Sequence, residues 1–391
     1  MLIKKLASVL LVSVLISLFG IFAVSAIEIS AKSAVVIDAS SNEIVFEKDA
    51  FEKRSMASTT KIMTSVLAIE SGRLDETVEI TGKMIRAEGT SIGLKAGYRI
   101  KLRDLVYGMM LESGNDAANS VAIFLSESLE NFSELMNRKA ASIGMKNTHF
   151  VTASGLDDEE HYSTAYDMAL LASYCIKNST FKAVCSTKKY TSNLEKPENY
   201  RLFFSNHNRL LFENKGVFGV KTGFTKKSGR CLVSAAERDG AVIIVVTLCD
   251  PDDWNDHRKL YKSCFETFSK KTVYADFSER VPVVGGTASS VMVKATEKLF
   301  EIAVHGEKNV KSRVYLPKFV YAPIKENDVI GKIDFYVGMN NIKTVSLFAA
   351  ESVTSQTETY IHREGFIARI KNKIKSIFTK KGSVAAWQTT E

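Results

Sequence analysis

A serine and a lysine three positions apart can carry out covalent chemistry when the lysine is uncharged, and Ser58-Thr59-Thr60-Lys61 offers such a pair. At the start of a helix, residues three apart share one face, a turn from each other. Lys61 can then take the proton of Ser58 and leave a competent nucleophile. It does so only if its pKa falls well below the free value of about 10.4. Burial lowers it, and so does a second nearby cation. Ala57, Ile62 and Met63 surround the pair with apolar groups. The tetrad alone says little, because Ser179/Lys182 and Ser186/Lys189 repeat the spacing.

Two later motifs give it meaning: Ser113-Gly114-Asn115 and Lys221-Thr222-Gly223. The first is a short turn between helical runs that can point a hydroxyl and an amide into a cleft. Ser113 is assigned to proton relay and Asn115 to holding a substrate amide. The second reads as a strand edging the cleft. Lys221 is the second cation beside Lys61, and with Thr222 it can bind a substrate carboxylate. Gly223 lets the backbone approach closely, and the Phe224 N–H can join the Ser58 N–H as an oxyanion hole. Together, in this order, the three motifs are the signature of serine acyl-transferases that react with penicillin.

The elements that must position these residues are legible in outline. Residues 34–38 and 44–46 flank Ser40-Ser41-Asn42 as a hairpin. Ile62, Val66 and Ile69 recur at helical spacing over 58–71, and Gly72 stops the run. Further helices are expected over 102–110, 117–129 and 167–175. Residues 230–236 and 241–248 form strands joined by Arg238-Asp239-Gly240, with 219–225 as a third. Helices bracketing an antiparallel sheet drawn from both ends of a domain make an α+β catalytic domain, assigned to 27–275. Strand-like runs then take over, including 290–294, 300–304, 329–337 and 344–348, and predict a small all-β sandwich domain over 276–358.

Both ends of the chain read differently. Lys4 and Lys5 precede an uncharged apolar run over 6–24 that ends in Val24-Ser25-Ala26. This is a secretory leader, 1–26, with cleavage expected after Ala26. In the tail, 359–391, Phe366, Ile370, Ile374 and Ile377 repeat at helical spacing among Arg369, Lys371, Lys373, Lys375, Lys380 and Lys381. That is a basic amphipathic helix suited to an anionic lipid surface and too short and charged to span it. The net charge is +8, and removing Lys4 and Lys5 with the leader leaves +6. With the excess near the C-terminus, lipid or an acidic polymer is the expected partner rather than nucleic acid. Five cysteines without a C-x-x-C are no disulfide framework, although a Cys175–Cys185 bridge is open. The six histidines show no H-E-x-x-H and no metal-ligand cluster, so a zinc hydrolase is disfavoured.

These residues resemble a D-alanyl-D-alanine carboxypeptidase, a low-molecular-mass penicillin-binding protein. Gly155-Leu156-Asp157-Asp158, His161-Tyr162-Ser163-Thr164-Ala165-Tyr166-Asp167-Met168-Ala169 and Asn206-His207-Asn208-Arg209-Leu210-Leu211 are similar to segments of that family. The resemblance implies a β-lactamase-like, penicillin-binding-protein-like α+β core. It implies a peptidoglycan stem pentapeptide ending in D-Ala-D-Ala as substrate, and acylation of Ser58 by β-lactams. It places the terminal carboxylate against Thr222 and Lys221, and it implies no metal or organic cofactor. No arginine near Asp252-Asp253-Trp254-Asn255-Asp256 is assigned to that carboxylate, and neither Glu159 nor Glu160 is assigned as a deacylation base. Three alternatives use the same residues differently: a β-lactamase, a D,D-endopeptidase cutting crosslinks, and a non-catalytic wall-binding protein.

Overall fold

The computed structural model describes residues 27–306, 309–356 and 368–373. The leader and most of the basic tail lie outside the described residues. The chain divides into two units. One holds the chain up to Ile37 with Ile44–Ala236 and Ile243–Glu266; the other holds Asp38–Glu43, Glu237–Val242 and the chain from Thr267. The division falls at 266/267 rather than at 275/276, because Phe268–Tyr274 is a strand paired with Leu299–His305.

In the first unit a five-stranded sheet runs Glu43–Lys48, Ser33–Asp38, Ala241–Leu248, Gly229–Arg238, Val217–Thr225. Its inner strands come from both ends of the unit, as the sequence predicts. Lys32 N–H donates to Cys249 O and Ala39 N–H to Val242 O, which sets the two ends antiparallel. Ser33–Asp38 is buried at every position. An apolar run without alternation suits a strand covered on both faces.

The helix Lys61–Glu70 is buried at every residue except Glu70. A helix that is apolar all round is a core helix, so the Ser58–Lys61 turn is held by the middle of the unit. Thr64 anchors it further by donating to Ala153 O at 2.7 Å. The helices Leu102–Leu111, Asn115–Ser126 and Ala165–Ile176 form near the expected places. Leu129–Ile143, Ser179–Ser186 and Asp253–Phe265 are helices that sequence reading missed. Leu129–Ile143 buries only Phe132, Met136 and Ala140. Its stripe is one residue wide, and its ends are set by the Ser128 side chain, which accepts from Asn131 N–H, and by Gly144 at φ 92°. All five cysteines are free thiols, so no Cys175–Cys185 bridge forms.

His257 is fully buried in this unit between the hydroxyls of Ser234 (2.7 Å) and Thr247 (3.0 Å). Burial drives its pKa from 6.5 down to about 3. The unfolded chain therefore takes up this proton first as pH falls. The stabilisation is complete above pH 6.5 and drains away between pH 6.5 and about 3, each tenfold difference in proton affinity being worth about 1.4 kcal/mol. The thermal midpoint should fall from pH 7 to pH 5, and fall less in His257→Gln. Equal slopes in the two proteins would show that His257 is not the group responsible.

In the second unit a six-stranded sheet runs Val310–Tyr315, Val329–Val337, Asn340–Ala349, Ser290–Ala295, Ser278–Val284, Val320–Tyr321. The Phe268–Tyr274 and Leu299–His305 pair contributes Phe300 to the same core, which meets Phe335 edge to face at 4.9 Å. Val281, Val291, Val293, Ile333, Val345 and Leu347 complete it. This is the small all-β domain predicted from the sequence.

Candidate active site

Ser58 sits in a single tight turn, Ala57–Thr60, immediately before the core helix. Ala57 adopts φ 47°, a left-handed conformation costly for a residue with a side chain. The buried Lys61 places its Nζ 2.8 Å from Ser58 Oγ, 2.7 Å from Asn115 Oδ1 and 2.6 Å from Ser154 O. Asn115 cannot be turned round, because its Nδ2 donates to Glu88 O at 2.5 Å. Two of the three partners of Lys61 are therefore pure acceptors. A neutral amine has two N–H bonds and one lone pair. Donating to Asn115 Oδ1 and Ser154 O leaves that lone pair facing the only partner able to donate, the Ser58 hydroxyl.

Electrostatics favour this neutral form. Burial lowers the Lys61 pKa well below its ordinary value, and the charge of Lys221 lowers it further, against a smaller opposing pull from Asp116. Lys221 is itself buried, which brings its pKa down to about 7. Asp116 is committed elsewhere: it accepts from the N–H groups of Ile92 and Leu94 and from the Ser91 hydroxyl, pinning that loop to the start of the Asn115–Ser126 helix.

The strand Val217–Thr225 approaches the turn as closely as backbones can. A Cβ added at Gly223 would lie 3.0 Å from Ser58 N and 3.1 Å from Thr59 N. Between them opens a cavity of about 280 Å³ lined by Ser58, Ser113, Thr222, Gly223, Phe224 and Arg230, with Thr90, His207, Asp253 and Trp254 around it. Ser113 reaches this wall from a left-handed backbone, φ 65°. Lys61, Asn115 and Lys221 are buried and do not line it. Lys221 donates to the carbonyl of its neighbour Thr222 at 2.9 Å. Glu159 and Glu160 are exposed and do not line it either.

Arg230 was not found from the sequence. It stands opposite Phe224 across the hairpin, pairs with the buried Asp253 at 3.0 Å and lies over the Trp254 ring. Counting across the turn from Lys221-Thr222-Gly223 would have reached it. Two supports were also missed. His161 Nδ1 accepts from Val151 N–H at 2.9 Å, so its Nε2 carries the proton and donates to Thr60 Oγ1 at 2.8 Å, bracing the turn that carries Ser58. Asn208 donates to Gly219 O at 3.0 Å, tying the loop that carries His207 to the Lys-Thr-Gly strand. A second cavity of about 490 Å³ shares Phe224 and Arg230 with the first and continues past Lys32, Gly229, Cys249 and Pro251.

The chain matches known proteins along most of its length. Residues 21–252 match the D-alanyl-D-alanine carboxypeptidase family, and residues 264–355 match the penicillin-binding protein 5 C-terminal domain. The chain is 30% identical over 352 residues to D-alanyl-D-alanine carboxypeptidase DacF of Bacillus subtilis, covering 84% of this chain and 90% of that one. It is 33% identical to DacC of Escherichia coli over 84% of this chain and 86% of that one. Among solved structures, penicillin-binding protein 5 of Haemophilus influenzae superposes with a TM-score of 0.60 at 28% identity, over 84% of this chain and 98% of that one.

Proposed function

We propose a residue-level mechanism from one premise: the chain belongs to the D-alanyl-D-alanine carboxypeptidase family. It is a serine-type D,D-carboxypeptidase acting on peptidoglycan stem peptides and binding penicillin. In our reading, neutral Lys61 takes the Ser58 proton while Ser58 Oγ attacks the carbonyl of the penultimate D-alanine. The oxyanion forms beside the N–H groups of Ser58 and Phe224, where donors stabilise charge as it develops. Lys61, relayed by Ser113, returns the proton to the departing D-alanine nitrogen. Asn115 holds Lys61 from inside, and water then hydrolyses the acyl-enzyme. Thr222 and Arg230 receive the terminal carboxylate, with buried Lys221 adding positive potential. The observation that carries this reading is the buried Lys61 Nζ 2.8 Å from Ser58 Oγ, with two pure acceptors, Asn115 Oδ1 and Ser154 O, as its other partners.

The test is D-alanine release from a peptide ending in Lys-D-Ala-D-Ala, by the chain without 1–26 and 362–391, beside Ser58→Ala. Wild type should release D-alanine and be labelled by penicillin, and Ser58→Ala should do neither. Label on Ser58→Ala would assign the nucleophile elsewhere. In the same assay Arg230→Gln should lose ten- to a hundredfold in kcat/KM, about the 1.5–3 kcal/mol of a hydrogen bond to a charged group. Unchanged kinetics would move the carboxylate off Arg230.

A second activity, cutting crosslinked stem peptides, is favoured by the second cavity. Once Arg230 holds the carboxylate next to the scissile bond, a leaving group longer than D-alanine needs room beyond it, and that cavity continues there. Failure to split a crosslinked dimer that the same preparation would otherwise process as monomer removes this reading.

We also read the chain as exported, with 1–26 removed, and as held at the outer face of an anionic membrane by the basic tail. The described fragment of that tail, 368–373, is helical and exposed, Ile370 included. Among the described residues no helix is long and apolar enough to cross a membrane.

A further inference from the structure

Three large apolar side chains stand out of the second unit at one place: Phe319 (48% exposed), Tyr321 (69%) and Val284 (46%). Val320–Tyr321 is a two-residue strand at the edge of the six-stranded sheet, and Tyr321 lies opposite Val284 in parallel register. Strand alternation explains the outward pair. Val320 packs on the core, while Phe319 and Tyr321 meet edge to face at 5.5 Å. Pro317 and Pro323 flank the strand. Lacking N–H donors, they make this edge a poor template for another strand. What it offers is its side chains, with Lys318 and Lys325 exposed on either side and Glu326 next to Lys325.

The stretch that ends at Gln356 runs along the same edge. Val353 and Ile324 exchange two backbone hydrogen bonds, of 2.8 and 2.9 Å, and Gln356 N–H donates to Gly285 O, one residue beyond Val284. Gln356 is therefore held one residue from Val284, the register partner of Tyr321. Only residues 357–365 separate Gln356 from Phe366, where the basic apolar repeat begins. That tether reaches at most about 35 Å. A tail lying on lipid keeps this edge within that distance, which turns a weak second contact into an effectively intramolecular one.

We propose that Val284, Phe319 and Tyr321 form a second membrane contact, seating their rings in the headgroup region of an anionic bilayer with Lys318 and Lys325 against lipid phosphates. Aromatic side chains favour that boundary, and basic ones favour its charge. A second protein copy fits less well, since three side chains fall far short of the roughly 800 Å² per partner that a stable interface buries. The proposal rests on the reading of the tail as a lipid-surface helix.

The experiment is co-sedimentation of the chain from residue 27 with phosphatidylglycerol–phosphatidylethanolamine vesicles. Three proteins are compared: wild type, the double variant Phe319→Ser/Tyr321→Ser, and the truncation lacking 362–391. The double variant should bind about tenfold more weakly, the order expected for two rings withdrawn from the interface, with D-alanine release unchanged. The truncation should bind more weakly still. Equal binding by wild type and double variant would overturn the proposal. So would a double variant that holds vesicles normally but loses isolated peptidoglycan, which would make the edge a wall contact. Undiminished binding by the truncation, with the double variant still weakened, would remove the tail reading and leave the edge as a lipid contact in its own right.

Discussion

Lys61→Ala should lower acylation of Ser58 by a β-lactam about a thousand- to ten-thousandfold, the upper range for loss of a positioned general base. The fold should survive, because the lost amine is one whose charge burial already disfavours. Lys61→Arg separates the two roles a cation could have here. A guanidinium keeps the charge and the donors but gives up no proton near neutral pH, so the arginine variant should be as inert as the alanine one. Penicillin labelling at near-normal rate in Lys61→Arg would show that Lys61 acts as a charge and not as a base. The pH dependence has a definite sign. Protonating Lys61 removes the lone pair, so acylation falls as pH drops through its lowered pKa. Because that pKa lies well below the ordinary lysine value, the enzyme should keep its base at pH values where a solvent-exposed lysine would be fully charged.

Burial of Lys61 and Lys221 explains why the candidate site could be named from the sequence while its workings could not. The three motifs point to Ser58, Lys61, Ser113, Asn115 and Lys221-Thr222-Gly223, because the proposed mechanism needs residues of those types. The strands 230–236 and 241–248 were legible because burial on both faces writes largely apolar runs, broken after Arg230 only by Ser234 and Thr247. What was not legible depends on distances that only the folded chain sets. Arg230 is an ordinary exposed-type residue until Asp253 and Trp254 fix it at the cleft. His161 looks like any histidine until two backbone N–H groups occupy its Nδ1 and so fix which nitrogen donates to Thr60. The direction of the Lys221 side chain is likewise set only in the folded chain, since a motif gives a side chain's type and not where it points. Its amine turns to the Thr222 carbonyl.

Gly155→Ala should be the most damaging substitution outside the catalytic residues, although it adds one carbon. The added Cβ would lie 1.9 Å from Ala57 O, 2.4 Å from Ala57 C and 2.8 Å from Thr60 Oγ1, on a backbone at φ 86°. No rotamer relieves a clash with a neighbouring carbonyl, so one of the two segments must move. Ala57 carries the nucleophile on its C-terminal side, and Ser154, just before Gly155, accepts from Lys61 at 2.6 Å. Whichever segment yields, the distance between Ser58 and Lys61 changes. A shift of about 1 Å in reacting groups costs on the order of a hundredfold in rate, and overpacking costs about 1–3 kcal/mol of stability beyond the backbone strain. Gly144→Ala is the control, because Gly144 sits at φ 92° with nothing within 4 Å of an added Cβ. It isolates left-handed strain, about 1 kcal/mol, and should leave D-alanine release intact. If both variants lose equally little stability and both keep their rate, close packing of Gly155 on the Ala57 carbonyl does not hold the nucleophile turn, and its position must be set by His161 and Thr60 alone.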